Sequence, residues 1–179
     1  MRIISGKFKK KSIIPPKNFK ARPTTDMAKE SFFNIIENEF DIATLKVLDL
    51  FSGTGGISYE FLSRGCPDIT CVEINFLHYS FIKKTIAELN GKDKAHVVKA
   101  NAFRYLEKCP HQFNLIFADP PYNIKGIETI PNLVFDNNLL LSNGLLIVEH
   151  SANTVFTGNK YLRNQKKYGS VNFSFFENI

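Results

Sequence analysis

Short apolar runs alternate along the chain with longer stretches in which apolar residues recur at helical spacing, so strands and helices are predicted in turn. Leu45 to Leu50, apolar on both faces, predicts a buried central strand. Asp68 to Glu73, Ala95 to Lys99 and Gln112 to Ala118 predict the next three, and Leu145 to Glu149 a fifth after a turn at Ser142-Asn143-Gly144. The first helix places Met27, Phe32, Phe33, Ile35 and Ile36 on one side, is capped by Thr24, Thr25 or Asp26, and is expected across the sheet edge. Ile57 to Arg64 and Phe76 to Leu89 are further helices, the second stopped by Asn90-Gly91. Another starts at Asn101-Ala102-Phe103, and Asn123 to Asn138 mixes a short helix with turns, its Asn123-Ile124-Lys125-Gly126 segment expected to form a flap. Tyr161 to Lys167 and Ser170 to Phe176 predict two antiparallel strands joined near Tyr168-Gly169. At the start, Arg2 to Ser5 and Lys7 to Ile14 predict two short strands about a tight turn at Ser5-Gly6. Strands alternating with helices specify an α/β fold with a mostly parallel sheet.

The length, 179 residues, suits a single domain, with residues 1–24 as a basic hairpin extension and 25–179 as the core. No apolar run is long enough to span a bilayer, and Met1-Arg2-Ile3-Ile4-Ser5-Gly6-Lys7 is too polar for a signal peptide, so a cytoplasmic protein is expected. A monomer is also expected. Cys66, Cys71 and Cys109 have no paired spacing and the four histidines are scattered, so no metal site is expected. The formal net charge is +6, and its distribution changes the picture. Residues 1–30 carry nine basic side chains against Asp26 and Glu30, a net of +7, which leaves −1 for the rest. Such a one-sided field is the footprint of a phosphate-backbone binder, with Arg2, Lys7, Lys9, Lys10, Lys11 and Arg22 as candidate contacts. A second, weaker cluster is Lys160, Arg163, Lys166 and Lys167.

Three motifs fall at predicted strand ends, where open α/β sheets bind ligands. After the first strand comes Asp49-Leu50-Phe51-Ser52-Gly53-Thr54-Gly55-Gly56, whose glycines allow a tight turn and close approach of a ligand to the backbone. A dinucleotide fingerprint requires glycine at position 58, where Ser58 stands, which speaks against a nicotinamide cofactor. Glu73 closes the second strand, where an acid can accept the two hydroxyls of a ribose. After the fourth strand comes Asp119-Pro120-Pro121-Tyr122. Its two prolines remove two donors and fix the backbone, so the Asp119 carboxylate and the Pro120 carbonyl form a pair of acceptors beside an aromatic ring. That pair suits a planar conjugated amine, although Asp-Pro-Pro is also ordinary turn chemistry.

The order of these motifs resembles the class I S-adenosylmethionine-dependent methyltransferases, and the Asp-Pro-Pro-Tyr form is similar to those that methylate exocyclic or amide nitrogens. Met1 to Lys7, Arg22-Pro-Thr-Thr-Asp with Glu30-Ser-Phe-Phe-Asn-Ile-Ile, Val47-Leu-Asp-Leu-Phe-Ser-Gly-Thr-Gly, Phe113 to Tyr122, Gly144-Leu-Leu-Ile-Val-Glu-His-Ser and Lys167-Tyr-Gly together resemble the bacterial 16S ribosomal RNA guanine-N2 methyltransferases known as RsmD. The resemblance implies a Rossmann-like, seven-stranded sheet with an antiparallel C-terminal strand. It also implies S-adenosyl-L-methionine as cofactor, contacted by Thr24, Asp49, Phe51, Gly53, Gly55, Glu73, Ile74, Asn101, Ala102 and Asp119. Asn101 stands where the family usually has Asp, so a neutral amide would accept from the adenine amino group. Asp119, Pro120, Pro121 and Tyr122 become the catalytic corner, and 16S rRNA or a small-subunit precursor the partner. An adenine-N6 or cytosine-N4 DNA methyltransferase, or a non-catalytic RNA-binding protein, are the alternatives; the first lacks added sequence for reading DNA.

Overall fold

The computed structural model describes residues 1–17, 19, 26–121, 123–168 and 171–178. Five helices, α1 (Asp26–Glu39), α2 (Gly56–Ser63), α3 (Phe76–Glu88), α4 (Ala102–Lys108) and α5 (Ile130–Asp136), alternate with the first five of seven strands. These are β1 (Lys46–Leu50), β2 (Asp68–Glu73), β3 (Ala95–Lys99), β4 (Phe113–Ala118), β5 (Leu140–His150), β6 (Leu162–Tyr168) and β7 (Val171–Phe176). The sheet order is β3-β2-β1-β4-β5-β7-β6, parallel from β3 through β5, with β7 antiparallel to both β5 and β6. This is the α/β architecture the periodicity predicts, with the antiparallel C-terminal strand.

Because successive strand residues face opposite ways, β1 sends Val47 into one apolar layer and Leu48 and Leu50 into the other. Helices α1, α2 and α3 cover the first face and α4 and α5 the second, so both faces of the parallel strands are dry. The first helix lies on the sheet face rather than its edge, contrary to expectation. Its Phe32 ring stands 4.6 Å from Phe117 of β4 and 6.1 Å from Phe173 of β7, because a helix with two adjacent phenylalanines buries more by crossing strands than by flanking them. Met27, expected in the apolar stripe, is exposed instead.

The expected turn at Ser142-Asn143-Gly144 is a bulge inside β5, which begins at Leu140. Asn143 takes a left-handed φ of 60° and the β4–β5 register shifts between Phe113↔Leu140 and Leu115↔Leu145, so β5 absorbs three extra residues without ending. The N-terminal hairpin is also looser than predicted. Among the described residues it has one bridge, Arg2 with Ser12, and the chain turns over Ser5 to Lys10. Ile3, Lys10 and Ile13 donate across it, but four of its donors are spent on α2: Ile4 and Ser5 donate to the Glu60 carboxylate, Lys7 to the Ser63 carbonyl and Phe8 to Ser63 Oγ. Gly6 is required by that docking, since its φ is 78° and a Cβ there would lie 2.0 Å from the Ser63 carbonyl oxygen.

Candidate active site

Four neighbouring parallel strands each deliver one carboxyl group to the carboxyl edge: Glu73 ends β2, Asp49 sits near the end of β1, Asp119 follows β4, and Glu149 lies near the end of β5. Asp49, Glu73 and Glu149 are buried and Asp119 is half-buried. For Asp49, Asp119 and Glu149, carboxyl groups so gathered away from water resist ionisation. Burial, with the charges of Asp119 and Glu73 adding to it, raises Asp49 to about 7 against the opposing hydrogen bond from Ser58. Burial raises Asp119 to about 6, and burial plus the Asp119 charge raises Glu149 to about 8.

The glycine loop is built around these acids. Phe51, Gly53 and Gly55 all take left-handed φ values, of 58°, 55° and 83°. A non-glycine residue in that region is costly and is found where surrounding structure enforces it. The loop is tied down from beneath, because Gly53 N donates to Glu73 Oε2 at 2.8 Å while Asn75 N donates to Oε1 at 2.7 Å. Ser58, in the first turn of α2, donates Oγ to the Asp49 carboxylate. The serine at the fingerprint's glycine position therefore has a local task.

Asp49, Gly53, Thr54, Phe117 and Asp119 line one pocket with Met1 and Lys29. Asp49, Phe51, Gly53 and Asp119 are thereby brought together as the sequence predicted. Ile74 lies 60% exposed just beyond Glu73, and Gly55 and Ala102 stand at the starts of α2 and α4. Asn101 is the N-cap of α4, its side-chain oxygen accepting from Arg104 N at 3.1 Å. Pro120 is buried and Pro121 exposed, with the Pro121 carbonyl accepting from Ile124 N at 2.9 Å. Thr24, Arg22 and Tyr122 lie outside the described residues.

Two residues of the site escaped sequence reasoning. Lys29 was counted with the basic flank, yet it is buried, donates Nζ to the Arg2 carbonyl and lies 3.4 Å from Asp26. It is a wall of the pocket and no part of the solvent-facing charge; its signal was the Asp26–Lys29 spacing of three on a helix. Glu149 was passed over as a strand residue, although an acid closing a fifth parallel strand reaches the same edge. Its Oε2 has no hydrogen-bond partner among the described residues. Of the basic flank, Lys7, Lys9, Lys10 and Lys11 are exposed, whereas Arg2 pairs with Asp26 at 2.9 Å.

An acidic pocket under a glycine loop fits a cation that also carries hydroxyl and ammonium donors, since such a ligand relieves the crowding that holds protons on Asp49 and Asp119. Comparison with known proteins runs the same way. A family model described as Conserved hypothetical protein 95 matches residues 1–177. The ribosomal RNA small subunit methyltransferase D of Buchnera aphidicola subsp. Baizongia pistaciae is 35% identical over 100% of this chain and 92% of its own length. A solved Escherichia coli chain assigned as a methyltransferase is 30% identical and superposes with a TM-score of 0.85, covering 98% of this chain and 96% of that one. A Streptococcus mutans chain assigned to the S-adenosylmethionine-dependent methyltransferases shares the fold, with a TM-score of 0.62 at 17% identity over 82% of this chain and 48% of that one.

Proposed function

Because the chain belongs to the family described as Conserved hypothetical protein 95, the RsmD family, we propose that it is an S-adenosylmethionine-dependent ribosomal RNA methyltransferase acting on the N2 amino group of a guanine in 16S rRNA. The observation that carries the reading is one pocket shared by the glycine loop and the Asp119 corner, so that a cofactor held by the first lies beside an amine held by the second.

S-adenosylmethionine supplies the methyl group as an electrophile already activated by its sulfonium. Asp49 and the backbone around Gly53 hold its methionine end, Glu73 accepts its ribose hydroxyls, and Ile74 with Asn101 and Ala102 borders its adenine. The Glu73 carboxylate is already aimed by the amides of Gly53 and Asn75, which removes the entropic cost of orienting it.

The guanine amine is a poor nucleophile because its lone pair is conjugated into the ring. Asp119 and the Pro120 carbonyl accept its two hydrogens, favour a less planar nitrogen and direct the lone pair out of the ring plane. Positioning of this kind contributes up to roughly 7–11 kcal/mol in well-oriented systems. The amine becomes acidic as its new bond forms, so Asp119 takes the proton late in the step. Reaching the amino edge requires an unpaired or extruded base, against which Tyr122 stacks, while the exposed lysines of the N-terminal extension hold flanking phosphates.

Radiolabelled methyl transfer to naked 16S rRNA and to partly assembled small subunits, followed by mass mapping of the product, tests the reading. N2-methylguanosine is expected, and faster on the assembled particle. Methyl groups on adenine N6 or cytosine N4, or none, would overturn the function; equal rates would defeat the preference for an assembly intermediate.

A further inference from the structure

Among the described residues, four of the six exposed large apolar side chains, Ile14, Ile74, Phe76 and Leu77, lie on the N-terminal extension or around the start of α3. Grouped exposed apolar residues mark an interaction site more than scattered ones do. The extension and α3 form a continuous surface there, because the Phe19 ring packs 4.6 Å from His78 and 5.4 Å from Phe81. Between them runs an open groove, lined from the extension by Lys11, Ile14 and Lys17 and from α3 by Leu77, Lys84 and Glu88. Leu77, Ser80, Lys84 and Glu88 recur at helical spacing, so the groove follows one face of α3.

The charge of this surface is positive. Glu88 is its acidic member and lies 3.9 Å from Lys84, leaving the charges of Lys11 and Lys17 unbalanced among the lining residues. Beside the groove, Lys99 stands 5.1 Å over the Phe76 ring and Lys83 5.9 Å over Tyr79. Phe76 is exposed and Tyr79 half-buried, and aromatic rings set among lysines are the composition that tracks a phosphate backbone while its bases stack. Duplex RNA offers no unstacked base to such faces.

We infer that the groove between the N-terminal extension and α3 binds a single-stranded RNA segment flanking the target base. The assignment rests on the methyltransferase reading for its substrate class and adds a second contact surface to the lysines of the N-terminal loop. α3 starts three residues after Glu73, so the groove opens at the carboxyl edge beside the cofactor site and leads away along the helix. A strand leaving the pocket would pass Phe76 and Leu77 first and the lysine rim next.

Fluorescence anisotropy with the full chain tests this, using a labelled unstructured oligopyrimidine RNA and a perfect RNA duplex of equal length across a salt series. The single strand is expected to bind at least about tenfold more tightly. Lys11→Ala/Lys17→Ala should lower the salt slope by roughly 1.4, the loss of two phosphate contacts on single-stranded RNA. Phe76→Ala/Leu77→Ala should weaken binding about tenfold with the slope unchanged. Thermal melting and S-adenosylmethionine affinity serve as fold controls. Equal binding of the duplex, or unchanged slope and affinity in both variants, would overturn the groove while leaving methyl transfer by the wild type intact. Loss of binding to ribosomal particles alone, with RNA binding retained, would assign the face to a protein and also overturn it. A wild type that binds the oligonucleotide through the groove but methylates no rRNA would overturn the function and spare the groove.

Discussion

Ser58 donates its hydroxyl hydrogen to the Asp49 carboxylate from the first turn of α2, directly beneath the glycine loop. The contact keeps a buried acid aimed and opposes the burial that lifts it to about 7. Ser58→Ala removes that hydrogen bond, so Asp49 should titrate higher and be more fully protonated at neutral pH. A hydrogen bond to a charged group contributes about 1.5–3 kcal/mol, so S-adenosylmethionine affinity at pH 6.5 should fall roughly tenfold or more. Part of the loss should return at pH 8.5, where Asp49 ionises again. Calorimetric titration at both pH values checks this, and identical affinities for variant and wild type would disconnect Ser58 from the site.

The acid row also fixes how stability depends on pH. Asp49, Asp119 and Glu149 keep their protons in the folded chain to about 7, 6 and 8, against ordinary values of 3.8, 3.8 and 4.5. Between those limits the folded state binds more protons than the unfolded state. The stability these groups contribute is therefore complete below about pH 4 and lost as pH rises through the folded values. Asp119→Asn and Glu149→Gln, which remove one acid each, should each melt a few °C, about 2–4, above the wild type at pH 8.5, with the gap narrowing as pH falls and closing near pH 4. A gap independent of pH would show that these acids do not titrate as a buried group.

Methyl transfer should run in the opposite direction, since Asp119 must be ionised to accept the amine hydrogens. The rate should climb as pH rises through about 6. Asp119→Ala should lose on the order of 10²-fold or more in turnover while S-adenosylmethionine affinity stays near wild type. Single-turnover rates alongside cofactor titration separate the two, and a variant with wild-type turnover would remove Asp119 from the chemistry.

Most strands and all three motif positions were legible because they depend on local signals: apolar runs, glycines where φ turns positive, and acids placed just after strands. The bulge at Asn143 was not, because Ser-Asn-Gly is the same local chemistry whether it ends a strand or kinks one; only pairing of Phe113 with Leu140 across the bulge decides it. The placement of α1 over the sheet was hidden for a similar reason. Phe32 and Phe33 declare a buried helix, but the partner rings Phe61, Phe117 and Phe173 come from distant parts of the chain. Lys29 and Glu149 each look ordinary within their own elements; only the packing of α1 over the sheet makes Lys29 a neighbour of Asp49 and Asp119, and only the shared sheet edge does so for Glu149.

The mode of docking of the N-terminal extension gives the last prediction. Glu60 is completely buried on α2 and accepts from the amides of Ile4 and Ser5, at 2.9 Å each, and from Arg64 Nη2 at 3.2 Å. Removing one partner of a buried charged network costs about 3–5 kcal/mol because the other partners are left unpaired. Glu60→Ala should destabilise the chain by about that amount in urea unfolding. Gly6→Ala acts at the same joint without touching a charge: its Cβ would collide with the Ser63 carbonyl, so the loop must lift away. It should leave the α/β core's circular dichroism unchanged while making Lys7 to Lys11 sensitive to trypsin. If those lysines hold RNA phosphates only when the loop is docked, Gly6→Ala should weaken RNA binding and flatten its salt dependence as Lys9→Ala/Lys10→Ala/Lys11→Ala does, by roughly 2 in slope. RNA affinity unchanged in Gly6→Ala but lost in the triple variant would mean that the extension binds as a flexible arm and that docking on α2 serves only the fold.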